Sequence, residues 1–90
     1  MARVEWTRGA LFQLRSIREY IRQFDPRAAE RMAERLVEAA ESLADFPNRG
    51  RLAGEGYREL PSIAPYIILY ETIGDVVFVL DIRHGARQRD

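Results

Sequence analysis

The sequence predicts an α+β domain in which a helical hairpin packs on one face of a small, mostly antiparallel sheet, in the order β-α-α-β-β-β. Three observations carry this. Apolar residues recur at three- and four-residue spacing from Ala10 to Phe24 and again from Ala29 to Phe46. The two stripes are separated only by Asp25-Pro26, which is too short for anything but a tight turn between antiparallel helices. From Tyr66 to Arg83 the chain is strongly apolar and breaks once, around Gly74-Asp75, as a β-hairpin does.

Arg3-Val4-Glu5-Trp6 alternates polar and apolar residues and reads as a terminal or edge strand. Thr7 is placed as a helix N-cap, since a hydroxyl can accept from a free N–H of the first turn. The first helix carries Ala10, Leu14, Ile17, Ile21 and Phe24 on one stripe, with Arg15, Arg18, Glu19 and Arg22 off it, and runs to about Phe24. Asp25 followed by Pro26 is a second start signal, an N-cap with proline in the first turn. The second stripe is Ala29, Met32, Leu36, Ala39 or Ala40, Leu43 and Phe46, and Pro47 stops it. Residues 48–56 are rich in Gly and turn formers and read as a surface loop carrying Arg49 and Arg51. Tyr57 to Leu60 is a short strand ended by Pro61, and Tyr66–Thr72 and Val76–Arg83 form the hairpin.

Ninety residues make a single domain, 1–90, that buries only ~60–65% of its unfolded surface. There is no cysteine, so disulfides and thiolate metal sites are excluded, and the single His rules out a His-cluster zinc site. No cofactor and no metal are expected. Apolar runs reach only about five residues and the N-terminus has no apolar leader segment, which points to a cytoplasmic protein with no membrane partner. The formal net charge of zero argues against a generic nucleic-acid coat. All 14 basic residues are Arg, which makes planar two-pronged contacts to carboxylates and phosphates.

Strict alternation along the hairpin divides its residues between two faces. Val76, Phe78, Leu80 and Ile82 fall on one face of the last strand with Tyr66, Ile68, Tyr70 and Thr72 of its partner, and this bulkier set is assigned to the helices. Ile67, Leu69, Val77 and Val79 then fall on the other face with Glu71, Asp81 and Arg83. One helical layer cannot cover both faces, so these four aliphatics are expected to form a patch for a partner, unless the twisted sheet and the 48–56 loop close over it.

No standard catalytic motif is present. The candidate constellation is basic: Arg49, Arg51, Arg58, Arg83, His84, Arg87 and Arg89. Clustered Arg can stabilise charge on a phosphoryl group, and His can move a proton near neutral pH. The plainer reading pairs these arginines with Glu55, Glu59, Asp75, Asp81 and Asp90 on a solvated surface.

The strand-helix-helix-strand order, Asp25-Pro26 with its following Ala pair, Phe46-Pro47-Asn48-Arg49-Gly50-Arg51, Tyr57-Arg58-Glu59-Leu60, Tyr66…Leu69-Tyr70 and Ile82-Arg83-His84-Gly85-Ala86-Arg87 together resemble the RelE/ParE toxins of bacterial type II toxin–antitoxin systems. The resemblance covers about residues 3–88. It implies a cytoplasmic toxin of the kind associated with plasmid stabilization. Its partner would be a ParD-like antitoxin with a ribbon-helix-helix start, in a hetero-oligomer. The antitoxin's acidic C-terminal segment would cover Ile67, Leu69, Val77, Val79 and Arg83. The Pro-x-x-Gly-Arg junction and the His-Gly-Ala-Arg ending look ParE-like, which implies inhibition of DNA gyrase through Arg49, Arg51, Arg58, Arg83, His84 and Arg87. The alternative it implies is a RelE-like nuclease acting on mRNA at the ribosome, with Arg58 and Arg83 clamping phosphate and His84 as general acid.

Overall fold

A computed structural model describes residues 2–85. Strand β1 (Arg3–Trp6) leads into helix α1 (Arg8–Arg22) and helix α2 (Pro26–Glu41). A 3-10 turn at Ser42–Ala44 follows, then four strands: β2 (Arg51–Gly54), β3 (Tyr57–Ile63), β4 (Tyr66–Ile73) and β5 (Val76–His84). The sheet order is β1-β5-β4-β3-β2, with β1 parallel to β5 and every other pairing antiparallel. The predicted α+β architecture is therefore the observed one, with an additional short strand.

Both helix starts form as the residue types dictate. The Thr7 hydroxyl accepts from the Ala10 N–H at 3.1 Å, and its own proton lies within reach of the Val79 and Leu80 carbonyls at 3.0 and 3.1 Å. One side chain thus caps α1 and ties it to β5. Thr7→Ala removes both functions and is expected to cost about 1–2 kcal/mol, read as a lower denaturation midpoint with an unchanged slope. The Asp25 carboxylate accepts from the Arg27 and Ala28 N–H groups at 3.1 Å each.

The core lies between the helical hairpin and one sheet face. Ala10, Leu36, Ala39, Ala40 and Leu43 meet Leu60, Ile68, Tyr70, Val77, Val79 and Ile82, with Val4, Trp6, Leu14, Ile17 and Met32 around them. Alanines at the helix contacts let the backbone approach the sheet closely. The second stripe ends earlier than predicted: Phe46 lies past the 3-10 turn and is 65% exposed. The predicted 48–56 loop contains β2, which pairs with β3. Pro61 does not end β3, because the register shift between Leu60 and Ile63 absorbs the missing N–H.

The largest correction concerns the faces of β5. Leu69 pairs with Asp81 while the next residue, Tyr70, pairs with Val79, so Leu80 is an extra residue on β5. Such a bulge breaks the two-residue period. Val77 and Val79 ahead of it and Ile82 beyond it all turn to the helices, at 0%, 0% and 2% exposure. Strict alternation had put Val77 and Val79 on the open face and Phe78 and Leu80 under the helices. The opposite holds for all four. Val77 and Val79 are core residues, not part of a surface patch.

Candidate functional site

The open face of the sheet is built around Leu69. Register places Glu59 of β3 on one side of it and Asp81 of β5 on the other. Both carboxylates hold an arginine. Arg51 Nη2 lies 3.3 Å from Glu59 Oε1, across the β2–β3 pair. Arg83 Nε lies 3.2 Å from Asp81 Oδ2. The other Asp81 oxygen accepts the Ile82 N–H at 2.9 Å, which holds the carboxylate at the rim of β5 beyond the end of β1.

Between these ion pairs runs an apolar strip. Ile67 stands opposite Arg83 and Phe78 opposite Glu71. Tyr57, Leu69 and Leu80 share a cleft with Gly9 and Phe12 of α1. Leu69 is only 3% exposed, so it lies at the bottom of this cleft. The face is an apolar floor with a guanidinium at either side, each half-neutralised by a carboxylate. The guanidinium side of each pair is exposed to solvent, which screens the pair and leaves it a small contribution to stability. An incoming acidic segment could therefore share the arginines at small cost to the fold.

The structure brings together four of the residues singled out in the sequence: Ile67, Leu69, Arg51 and Arg83. It disperses the others. Arg58 pairs with Tyr70, whose side chain points into the core, so it lies on the helix side of the sheet and not with Arg83 as expected. Its Nη1 donates to the Gly50 carbonyl at 2.8 Å. Arg49 donates to the Ser42 hydroxyl at 2.7 Å, at the base of the helical hairpin. His84 pairs with Tyr66 on the strand next to it and meets that ring edge-on, 5.6 Å between centroids. His84 Nδ1 is buried without a hydrogen bond, in a recess shared with Gln13, Ser16 and Tyr20 of α1. Arg87 lies outside the described residues.

The nuclease set Arg58, Arg83 and His84 is thus split between both faces. Arg58 and His84 lie at β4 positions Tyr70 and Tyr66, ~13 Å apart along the strand and two strands apart across it.

Phe78 and Leu80 belong to the open face and were missed because the bulge is invisible to period counting; Tyr57, at the start of β3, joins them. Among the described residues no group of His, Asp and Glu side chains could hold a metal ion, and no helix is long and apolar enough to cross a membrane.

A family model described as the ParE toxin of type II toxin-antitoxin system, parDE, matches residues 4–89. The chain belongs to the ParE toxin family. A relative named Toxin RelE2, from Caulobacter vibrioides, is 53% identical over 87 residues, 97% of this chain and 99% of that protein. Putative toxin Y4kP of Sinorhizobium fredii is 39% identical over 88 residues, 96% of this chain and 91% of that one. A solved structure titled "Chromosomal ParDE TA system from P. aeruginosa" superposes with a TM-score of 0.83 over 93% of this chain and 96% of that chain, at 24% identity. This ParE-family chain is a toxin of a type II toxin–antitoxin module, with the fold of a ParDE-system protein.

Proposed function

We propose that this ParE-family toxin inhibits DNA gyrase and is held inactive by a cognate antitoxin whose acidic, amphipathic segment lies on the open sheet face. The observation that carries the gyrase reading is the ParE family match across almost the whole chain. It is supported by the separation of Arg58, Arg83 and His84, which leaves the two arginines of a phosphate clamp on opposite faces of the sheet. The antitoxin reading draws support from the open face itself: Arg51 and Arg83 flank an apolar strip, complementary to a segment with alternating acidic and aliphatic residues.

The test is a supercoiling assay. Purified chain should inhibit gyrase at a concentration that leaves topoisomerase I unaffected, and the purified antitoxin should reverse this. Gyrase left untouched overturns the reading. A second reading, ribosome-dependent mRNA cleavage, is favoured by the relatives named as RelE toxins. Primer extension on cellular mRNA after induction separates the two. New 5′ ends that persist in Arg83→Ala and His84→Ala would remove those residues from the nuclease role.

The antitoxin surface makes a separate prediction. Ile67→Glu and Arg83→Ala, both on the open face, should each weaken antitoxin binding by about tenfold or more while leaving the denaturation midpoint nearly unchanged. Unchanged affinity in both would move the contact off this face.

A further inference from the structure

The outer side of the helical hairpin carries a groove of about 450 Å³ between α1 and α2. Its floor includes Leu11, 42% exposed, and Val37, 36% exposed. Its two walls have opposite charge. Arg15 and Arg18 line the α1 side, and Glu30 and Glu34 line the α2 side. Arg18 Nε lies 3.4 Å from Glu30 Oε2, near enough to attract but misaligned for a hydrogen bond, so that donor is buried without an acceptor. Arg15 and Glu34 have no ion pair among the described residues.

The Arg18–Glu30 contact sets the levels along the antiparallel helices. Each step forward on α1 is matched by a step back on α2. Arg15 is therefore level with Glu34, and Leu11 with Val37. Consider a second copy laid face to face on this groove. A two-fold axis across the groove would stack α1 on α1 and place arginine over arginine. A two-fold axis along the groove stacks α1 of each copy on α2 of the other and keeps every residue at its level. Arg15 of one copy then meets Glu34 of the other, twice by symmetry. Leu11 meets Val37, and Arg18 gains a second carboxylate, Glu30 of the other copy. All neighbouring helices in that layer are antiparallel, as in an up-down bundle.

We propose that the helical hairpin is a self-complementary dimerisation face whose occupant is a second copy of this chain, related by a two-fold axis along the α1–α2 groove. Two helices of this length span ~22 by ~20 Å, which puts the buried area at the low end for specific association. The dimer is therefore weak and forms reversibly, and it loosens with added salt, because salt screens Arg15 and Glu34, which are exposed in the free chain. The face is opposite to the open sheet face, so the proposal stands or falls independently of the gyrase reading.

The test is sedimentation equilibrium of the full chain over a hundredfold range of concentration. The wild-type chain should move from monomer to dimer. R15E alone and E34R alone each place like charges together at both symmetric contacts and should raise the dimer Kd about tenfold or more. Mixing the R15E chain with the E34R chain should restore dimerisation, as a heterodimer, because both contacts then pair opposite charges. An ion pair within one chain cannot produce rescue by mixing. Val37→Asp should abolish the dimer in any combination, and circular dichroism should show the variants folded, since all three positions are exposed. A monomer at every concentration overturns the proposal. So does a dimer indifferent to R15E and E34R. If the same variants instead weaken antitoxin binding to a monomeric chain, the groove belongs to the antitoxin and the proposal fails.

Discussion

Val79→Asp should abolish cooperative folding, whereas Phe78→Asp, one residue earlier on the same strand, should not. Val79 is 0% exposed, packed between β5 and the helical hairpin with Val77, Tyr70 and Ala10 in the same core. Its replacement forfeits about 2 kcal/mol of apolar burial. It also buries a carboxylate among apolar side chains with no cation to pair it, which costs about 3–5 kcal/mol more unless the group is protonated. A domain of this size has roughly 5–13 kcal/mol in total. Phe78 lies on the open face opposite Glu71, half-exposed, where a new carboxylate remains hydrated. Urea denaturation followed by circular dichroism decides the matter. A cooperative transition in Val79→Asp and none in Phe78→Asp would mean that the phase of β5 is reversed from the one described. The same pair separates folding from recognition: lost antitoxin binding in a Val79 variant would report unfolding, not a lost contact.

Gly50→Ala should lower stability by about 3 kcal/mol, a fall in Tm on the order of 15 °C. The chain closes on itself at this residue. The buried Tyr70 hydroxyl donates to the Pro47 carbonyl and accepts from the Gly50 N–H, both at 2.8 Å. Arg58 donates to the Gly50 carbonyl at 2.8 Å. A methyl group on Gly50 would stand 2.7 Å from the Glu59 carbonyl oxygen and 2.8 Å from the Tyr70 ring and hydroxyl. Neither can yield, because one is backbone in a paired strand and the other is a core side chain. The relief would have to come from withdrawing the loop, which breaks the Tyr70 hydrogen bonds and displaces β2 with Arg51. Tyr70→Phe tests the same closure more mildly. It leaves a buried N–H and carbonyl unpartnered and should cost about 1–3 kcal/mol. A Gly50→Ala chain as stable as wild type would show that the loop is not held there.

These predictions divide by how much of their basis could be read in the linear chain. The helix starts at Thr7 and Asp25-Pro26, the two helical stripes and the hairpin around Gly74 rest on local rules, and each forms where those rules place it. Gly74 adopts φ of 61°, the conformation that such a turn requires and that glycine alone enters freely. The resemblance to the RelE/ParE toxins was legible too, since it depends on the order of short motifs and not on their contacts. The site was read less well. Arg51, Arg83, Ile67 and Leu69 do share a face, but Val77, Val79 and Arg58 do not join them. For the two valines the cause is the one extra residue at Leu80; Arg58 is turned to the helix side by its pairing with Tyr70. A bulge is a property of two strands in register, and no periodicity within one strand records it.

Local residue chemistry and spacing were enough to specify the two helices, the first strand, the final hairpin, their order, the layer arrangement and the family, because each depends on near neighbours in the chain or on the sum of apolar stripes that must be buried; β2 was not among them. Pairing between distant segments decided which aliphatics are core and which are surface, where β1 joins the sheet, and how the arginines are distributed. Side-chain direction along a strand is set by partner register, so one inserted residue sent Val77 and Val79 inward and left the open face to Ile67, Leu69, Phe78 and Leu80.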